Sequence, residues 1–294
     1  MGSLSEKHSQ DGVVPSKRNF HIFGNGISFS ISPTIHNAGF KHYGLPHFYD
    51  IREIASMDDA ASLINAPDFG GASVTMPHKL EAHKFCQEQT ESARLIGAVN
   101  TLIVSEGHGG KRKIIGDNTD WSGLHALITR HYNEEGSNTP KAGLVIGAGG
   151  AARAALYALH RAGIEHIFLV NRTVSTAERV RESFKFSLEI TVVPDLQQLP
   201  EQPGVVIGTV PAVTTRETDF QHIFGADGGG LCIEMSYQPP HTPLMTAAEA
   251  HPGWRTLSGV DVLLAQAFDQ FRLWTGFEPP TDQMIEAVKQ RASK

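Results

Sequence analysis

The 294-residue chain has two cysteines, Cys86 and Cys232. That is too few for a disulfide framework and points to a reducing, cytoplasmic setting. It lacks any run of about eighteen apolar residues, which argues against a spanning helix. Met1–Arg18 has no apolar core, so a secretory leader is not expected. Glu6 stands where a myristoylation signal after Met-Gly needs Ser or Thr. An excess of positive charge is missing too. The 25 Lys and Arg against 31 Asp and Glu leave a net charge of −6, which argues against general affinity for nucleic acid or an anionic membrane surface. There are 15 histidines but no H-E-x-x-H or Cys/His ligand spacing, so no metal is expected. What remains is ordinary for a globular protein: 40% hydrophobic residues, 19% charged, 29 Gly and 16 Pro. The length suggests two domains.

Residues 1–18 read as a disordered tail, since polar residues outnumber any that could pack. From Asn19 strand and helix alternate. Phe20–Phe23 is a short apolar run closed by Gly24-Asn25-Gly26. Ser32-Pro33 reads as an N-cap and first helical position, with Gly44 ending that helix. A strand at His47–Ile51, a helix at Ser56–Ile64 and a strand at Ala72–Thr75 follow. A helix is then expected after Pro77, and strands near Ala98–Val104 and Lys113–Ile115. The alternation predicts an α/β fold with parallel sheets covered on both faces. In the second half, strands are expected at Gly143–Ile146, Ile167–Val170, Leu188–Val193, Val205–Ile207 and Leu231–Met235. Helices are expected at Ala151–Ala162, after a capping box Ser175–Glu178, and at Asp261–Trp274 and Asp282–Arg291. Phe268, Phe271 and Trp274 read as packing residues.

Gly147-Ala148-Gly149-Gly150-Ala151-Ala152 supplies G-x-G-x-x-A between a strand and a helix. Alone this could be a tight turn with close helix packing. In a βαβ setting it predicts a dinucleotide site, with backbone close to a pyrophosphate at a helix N-terminus. The next strand ends at Asn171-Arg172-Thr173, where an NAD site usually carries Asp or Glu. Arg172 attracts a 2′-phosphate that a carboxylate would repel, so NADP is expected; the plain alternative is a solvated loop arginine.

Four polar clusters follow or end strands in the first half: Ser30–Pro33, Ser73–Lys79, Gly97–Thr101 and Gly116–Asp120. Ligands bind at such strand ends in open α/β sheets. Lys79 falls in the first turn of the helix expected after Pro77, where a cation opposes the macrodipole. A residue placed against local preference invites a functional reading, beside the plainer one of an exposed solubilising lysine. Asp120 and Ser32 can each be helix caps; cap and ligand roles are compatible.

These motifs, in this order, resemble the shikimate and quinate dehydrogenases, from about Phe20 to Gly276. The Gly71–Lys79 and Asp120-Trp121 wording is most similar to the matching domain of fungal multifunctional aromatic-pathway proteins. The resemblance implies a substrate-binding domain (19–120 with 262–294) and a Rossmann NADP-binding domain (121–261), with the C-terminal helices returning to the first. It also implies reversible hydride transfer between NADPH and 3-dehydroshikimate, with Lys79 and Asp120 handling the proton. Ser30, Ser32 and Tyr237 would hold the substrate carboxylate, and Thr75, Asn100 and Gln266 its hydroxyls. Gly147, Ala148, Gly149, Gly150, Ala151, Asn171, Arg172, Thr173 and Gly259 would bind the cofactor. Gly26, Phe29, Ser73 and Asp261-Val262 depart from the family pattern and bear on shikimate against quinate. Two rivals stand beside this reading: a quinate dehydrogenase and a non-catalytic metabolite-binding regulator. Intact Lys79, Asp120 and Arg172 speak against the regulator.

Overall fold

The computed structural model describes residues 16–106, 110–225 and 228–292. Most of the tail expected over residues 1–18 lies outside them. Twelve strands form two six-stranded sheets among the described residues. The first holds β1 (Asn19–Gly24), β2 (Phe48–Glu53), β3 (Phe69–Val74), β4 (Glu88–Gln89), β5 (Thr101–Glu106) and β6 (Arg112–Asp117), in the order β2-β1-β3-β5-β6-β4. β1 pairs parallel with β2 and β3, Phe20 standing opposite Tyr49 and Gly71. β5 runs antiparallel to both β3 and β6, which corrects the all-parallel expectation. Residues 107–111 are too few to form the crossover that a parallel β5–β6 pair would need.

The second sheet is parallel throughout: β7 (Ala142–Ile146), β8 (His166–Val170), β9 (Ile190–Val193), β10 (Val205–Gly208), β11 (Gly230–Glu234) and β12 (Trp254–Leu257). Its order β12-β11-β10-β7-β8-β9 reverses direction at β7, the position where such sheets open a crevice at their carboxyl ends. Val145 packs into one core cluster and its neighbours Leu144 and Ile146 into another. β7 is therefore buried on both faces, which explains its unbroken apolar sequence.

Helices α1 (Ser32–His42), α2 (Ala61–Ile64) and α3 (Glu91–Ile96) belong to the first sheet, and α5 (Gly150–Arg161), α6 (Val174–Phe184) and α7 (Pro243–Glu249) to the second. α4 (Asp120–Glu135) leads from one to the other, and α8 (Gly259–Thr275) leads back to pack on α1, β3 and β5, with α9 (Thr281–Ala292) against α1. Phe271 of α8 is fully buried among Phe20, Ile35, Phe40 and Met284. Burying a Phe side chain contributes about 1.5–3 kcal/mol, so this cluster anchors the C-terminal helices on the first sheet. Trp274 donates from its indole Nε1 to Leu102 O at 3.0 Å.

Three local expectations are corrected. Ser56–Ile64 is a 3₁₀ turn at Met57–Ala60 followed by the single α turn of α2, although Ser56 N does donate to Asp59 Oδ2 at 2.9 Å. No capping box forms at Ser175–Glu178: α6 opens two residues earlier, at Val174 with Thr173 as its N-cap, and Glu178 pairs with Arg181 at 2.6 Å. After Pro77 there are only two 3₁₀ turns, at His78–Leu80 and Ala82–Phe85. The Lys79 carbonyl accepts from Val99 N at 2.8 Å, so it is unavailable to a helical ladder.

Candidate active site

The carboxyl ends of both sheets face a common cavity of about 620 Å³. Ser30, Ser32, Thr75, Lys79, Asn100, Asp120, Tyr237 and Gln266 all line it, as do Gly149, Gly150, Ala151 and Gly259. Gly147, Ala148 and Asn171–Thr173 are outside this lining, next to one another across β7 and β8. Gly147 N donates to Val170 O at 2.8 Å.

Lys79 therefore stands on a 3₁₀ turn rather than in the first turn of an α-helix, and the macrodipole argument does not apply to it. Its Nζ donates to Asp120 Oδ2 at 2.6 Å, with the two side chains only 15% and 6% exposed. A Cβ on Gly150 would stand 3.1 Å from Lys79 Cβ, so the glycine-rich turn of one sheet packs directly on the lysine of the other. Asp120 is not the cap expected of it. Asn118 Oδ1 accepts from Asp120 N at 3.0 Å and Trp121 N at 3.4 Å, and Asn118 Nδ2 donates to Ala98 O at 2.9 Å. With Asn118 holding the start of α4, the Asp120 carboxylate is free to meet Lys79.

Ser32 is likewise not a cap. It is the first residue of α1, whose N-cap Ile31 makes no side-chain cap bond. Ser30 Oγ donates instead to Ser32 Oγ at 3.2 Å. Both hydroxyls are buried in the cavity wall, where an anionic ligand would meet donors little screened by water. Thr75 fits beneath them because Gly24 has no side chain; a Cβ there would stand 2.5 Å from Thr75 Cγ2.

Below the cavity runs a buried polar network. Asn100 Oδ1 accepts from Thr119 N and from Thr101 Oγ1, each at 2.7 Å, and Asn100 Nδ2 donates to Thr119 Oγ1 at 3.0 Å and Gln266 Oε1 at 3.4 Å. One turn along α8, Gln270 Nε2 donates to Thr101 Oγ1, and Ser73 Oγ donates to Gln270 Oε1, each at 2.9 Å. Tyr49 Oη in turn donates to Ser73 Oγ at 2.6 Å. Burial raises the Tyr49 phenol well above its ordinary value. His36 stacks on that ring with centroids 4.6 Å apart; burial lowers its imidazole to about 3, against a smaller opposing contribution from Gln270. Sequence reasoning missed Gln270 and Tyr49. The available signal was the spacing of Gln266 and Gln270, two amides on one face of an apolar helix. Gly123 was missed too: a Cβ there would stand 2.8 Å from Gln266 N, so this glycine lets α4 and α8 approach closely enough to bring Gln266 to the site.

On the other wall, Gly147 has φ +115°, and a Cβ on it would lie 2.4 Å from Thr209 Oγ1. Only glycine suits this turn. A Cβ on Gly149 would meet nothing within 4 Å, leaving open space before the first turn of α5, whose N–H groups have no acceptor within the helix. Asn171 Nδ2 donates to Thr173 O at 2.9 Å, ordering the turn on which Arg172 is exposed. These residues fit a dinucleotide whose pyrophosphate sits at Gly149 and whose 2′-phosphate faces Arg172. No group of three or more His, Cys, Asp or Glu among the described residues could hold a metal. No helix among them is long and apolar enough to cross a membrane.

Comparison with known proteins finds relatives along most of the chain. Three family models match in chain order: the shikimate dehydrogenase substrate binding domain over residues 22–102, shikimate / quinate 5-dehydrogenase over 133–218, and the shikimate 5′-dehydrogenase C-terminal domain over 259–289. The pentafunctional AROM polypeptide of Malassezia globosa is 42% identical over 282 residues, covering 92% of this chain and 17% of the relative. The chain thus spans less than a fifth of the length of the curated relatives it matches. The solved dehydroquinate dehydratase and shikimate dehydrogenase from S. pombe AroM is 36% identical with a TM-score of 0.78, over 93% of this chain and 53% of that one. The shikimate 5-dehydrogenase of Mycobacterium fortuitum also has a TM-score of 0.78, at 29% identity, over 94% of this chain and 99% of that one. The enzyme from Thermus thermophilus, solved with NADP(H) and shikimate, is 27% identical with a TM-score of 0.72, over 93% of this chain and 99% of that one.

Proposed function

The chain belongs to the shikimate dehydrogenase family, and from that premise we propose that it is an NADP-dependent shikimate 5-dehydrogenase interconverting 3-dehydroshikimate and shikimate. The observation that carries the reading is the buried Lys79–Asp120 pair, 2.6 Å apart at the junction of the two sheets. Its cavity also holds the Ser30 and Ser32 hydroxyls and the glycine-rich turn. NADPH, when bound, supplies the hydride. Gly147, Ala148, Gly149, Gly150, Ala151 and Gly259 would hold the dinucleotide by its backbone-facing side, and Asn171, Arg172 and Thr173 by its 2′-phosphate.

The remaining chemistry belongs to side chains. Reducing a ring ketone places negative charge on its oxygen, which needs a donor within hydrogen-bond reach. Lys79 Nζ supplies the proton as the carbinol forms and takes it back in the reverse direction. Asp120 keeps the ammonium oriented and balances its charge in a site with little water. Ser30, Ser32 and Tyr237 hold the substrate carboxylate at one end, and Thr75, Asn100 and Gln266 hold its hydroxyls. The division into residues 19–120 with 262–294 and residues 121–261 follows from this reading, one part keeping the substrate and the other the cofactor. Two free cysteines fit a cytoplasmic setting. Steady-state rates with shikimate and with quinate, each with NADP and with NAD, test the proposal. Preferred turnover of shikimate with NADP is expected. Faster turnover of quinate would reassign the substrate, and activity with neither would reject the reading.

A further inference from the structure

Glu234 ends β11 and is 2% exposed, a carboxylate buried in the sheet that carries the cofactor turn. Both of its oxygens are engaged by the segment that follows. Ser236 N donates to Oε1 at 2.9 Å, and Thr242 Oγ1 donates to Oε2 at 3.2 Å. The neighbouring strand makes room for it: a Cβ on Gly208 would lie 3.0 Å from Oε2 and 3.2 Å from Oε1. The segment so tied, residues 235–242, supplies Met235, Ser236, Tyr237 and Gln238 to the cavity wall. At its tip Tyr237 meets the loop between β1 and α1, sharing the cavity wall with Ser30, its ring standing edge-on to Phe29 with centroids 5.6 Å apart. Gly259 closes the segment from the other side; a Cβ there would stand 2.5 Å from Ser236 O.

We propose that Glu234 is a positioning residue: by tying Ser236 and Thr242 it sets the height of Tyr237 over Ser30, and through Tyr237 it governs the affinity for the substrate's carboxylate end. The inference rests on the functional reading above for the identity of that substrate.

The tie depends on ionisation. A carboxylate accepts at both oxygens with charge-assisted bonds, whereas a protonated carboxyl is a weaker, neutral acceptor for Ser236 N and keeps Thr242 only by reversing that bond and donating to its hydroxyl. Burial pushes Glu234 up to about 7, against the hydrogen bonds from Ser236, Thr242 and Met235 that favour its charged form. The titratable groups at this corner are few. On its own strand there is the Cys232 thiol, which burial, and after it the negative charges of Glu234 and Glu249, hold well above its ordinary value. Glu249 at the end of α7 pairs with His241 at 3.5 Å, and Tyr237 stands on the segment itself. Acidification from pH 8 to pH 6 therefore protonates Glu234, loosens the segment and weakens substrate binding.

Glu234→Gln is the test, since a glutamine keeps the shape and one acceptor and resembles the protonated acid. At pH 8 the variant should raise the KM for shikimate about three- to tenfold, with kcat within about twofold and the KM for NADP unchanged. The wild-type rise in KM between pH 8 and pH 6 should flatten in the variant. Hydrogen exchange of the peptide spanning residues 235–242 should accelerate, a readout that needs no activity. Thr242→Val, which removes one of the two ties together with the hydroxyl that caps α7 and leaves the carboxylate, should give a smaller rise in KM and serves if Glu234→Gln does not fold. An unchanged KM and pH profile would overturn the proposal, and so would parallel losses in kcat and both KM values. If the wild type turns over no shikimate, the functional reading fails; the exchange measurement then decides alone whether Glu234 holds the segment.

Discussion

The two halves of the molecule bury different things. Beneath the first sheet's share of the cavity lie Ser30, Ser32, Ser73, Asn100, Thr101, Asn118, Thr119, Asp120, Gln266 and Gln270, all buried and joined by hydrogen bonds. Among the described residues the second sheet and its helices bury His131, Glu234 and Thr242 as polar groups, within a core that is otherwise mainly aliphatic and aromatic. A small polyhydroxylated acid has to be recognised by many fixed donors and acceptors, and fixing them requires a network in which each partner is satisfied. A dinucleotide can be recognised by a backbone turn, a helix N-terminus and one exposed guanidinium. On the proposed function, the substrate half therefore spends its interior on polarity, and the cofactor half keeps an apolar core and leaves recognition to its loops.

The comparison breaks first at Lys79. Lys79→Ala should lower turnover by about 10²–10⁴ with the fold intact, the usual contribution of a positioned acid–base group; rapid-quench rates would show whether the chemical step is the one lost. Asp120→Asn should act in the same direction. Near-wild-type turnover with chemistry rate-limiting would remove Lys79 from its role. The next effect belongs to the other half. Arg172→Ala should cost about 1.5–3 kcal/mol of NADP affinity, the range for hydrogen bonds to a charged group, and leave NAD almost untouched. Titration calorimetry with both cofactors separates the outcomes, and equal losses would mean that Arg172 does not read the phosphate.

Ser30→Ala should weaken shikimate binding by about 1–3 kcal/mol while leaving NADP binding unchanged. Because Ser32 is not a cap, Ser32→Ala should behave the same way without a fall in Tm. The smallest effect is a pH dependence of stability that arises in the substrate half. His36 is lowered to about 3 by burial, so the fold holds it neutral. Its contribution is present above the unfolded value of about 6.5 and is lost as pH falls from there toward 3. Between pH 7 and pH 5.5 the loss should be about 1 kcal/mol. Denaturant unfolding of wild type and His36→Phe across that range would show it, the variant being the flatter of the two.

Much of the second half was legible in its sequence. The buried strands are unbroken apolar runs, and Gly147 to Ala151 mark the turn between β7 and the start of α5; local rules suffice there because each strand feeds the next helix. In the first half the polar clusters were legible as clusters, but their local roles were not. Ser32 and Asp120 read as caps by position, yet Asn118 took over the capping of α4 and Ser32 turned into the cavity. Lys79 read as helical, yet a strand-end N–H from Val99 took its carbonyl.

The sequence alone determined the alternation of strand and helix, the glycine turn, the guanidinium in place of a carboxylate at the second strand end, and the residue types available for proton transfer. These are properties of short windows, set by periodicity and local backbone demands. The tertiary structure decided which way β5 runs, that Gln266 and Gln270 face Asn100 and Thr101 from the far end of the chain, and that Lys79 meets Asp120 under Gly150. Those outcomes depend on contacts between residues far apart in the chain, such as Gly123 admitting α8 and Gly150 admitting Lys79. Close packing decides them, because a side chain can occupy only the space its distant neighbours leave.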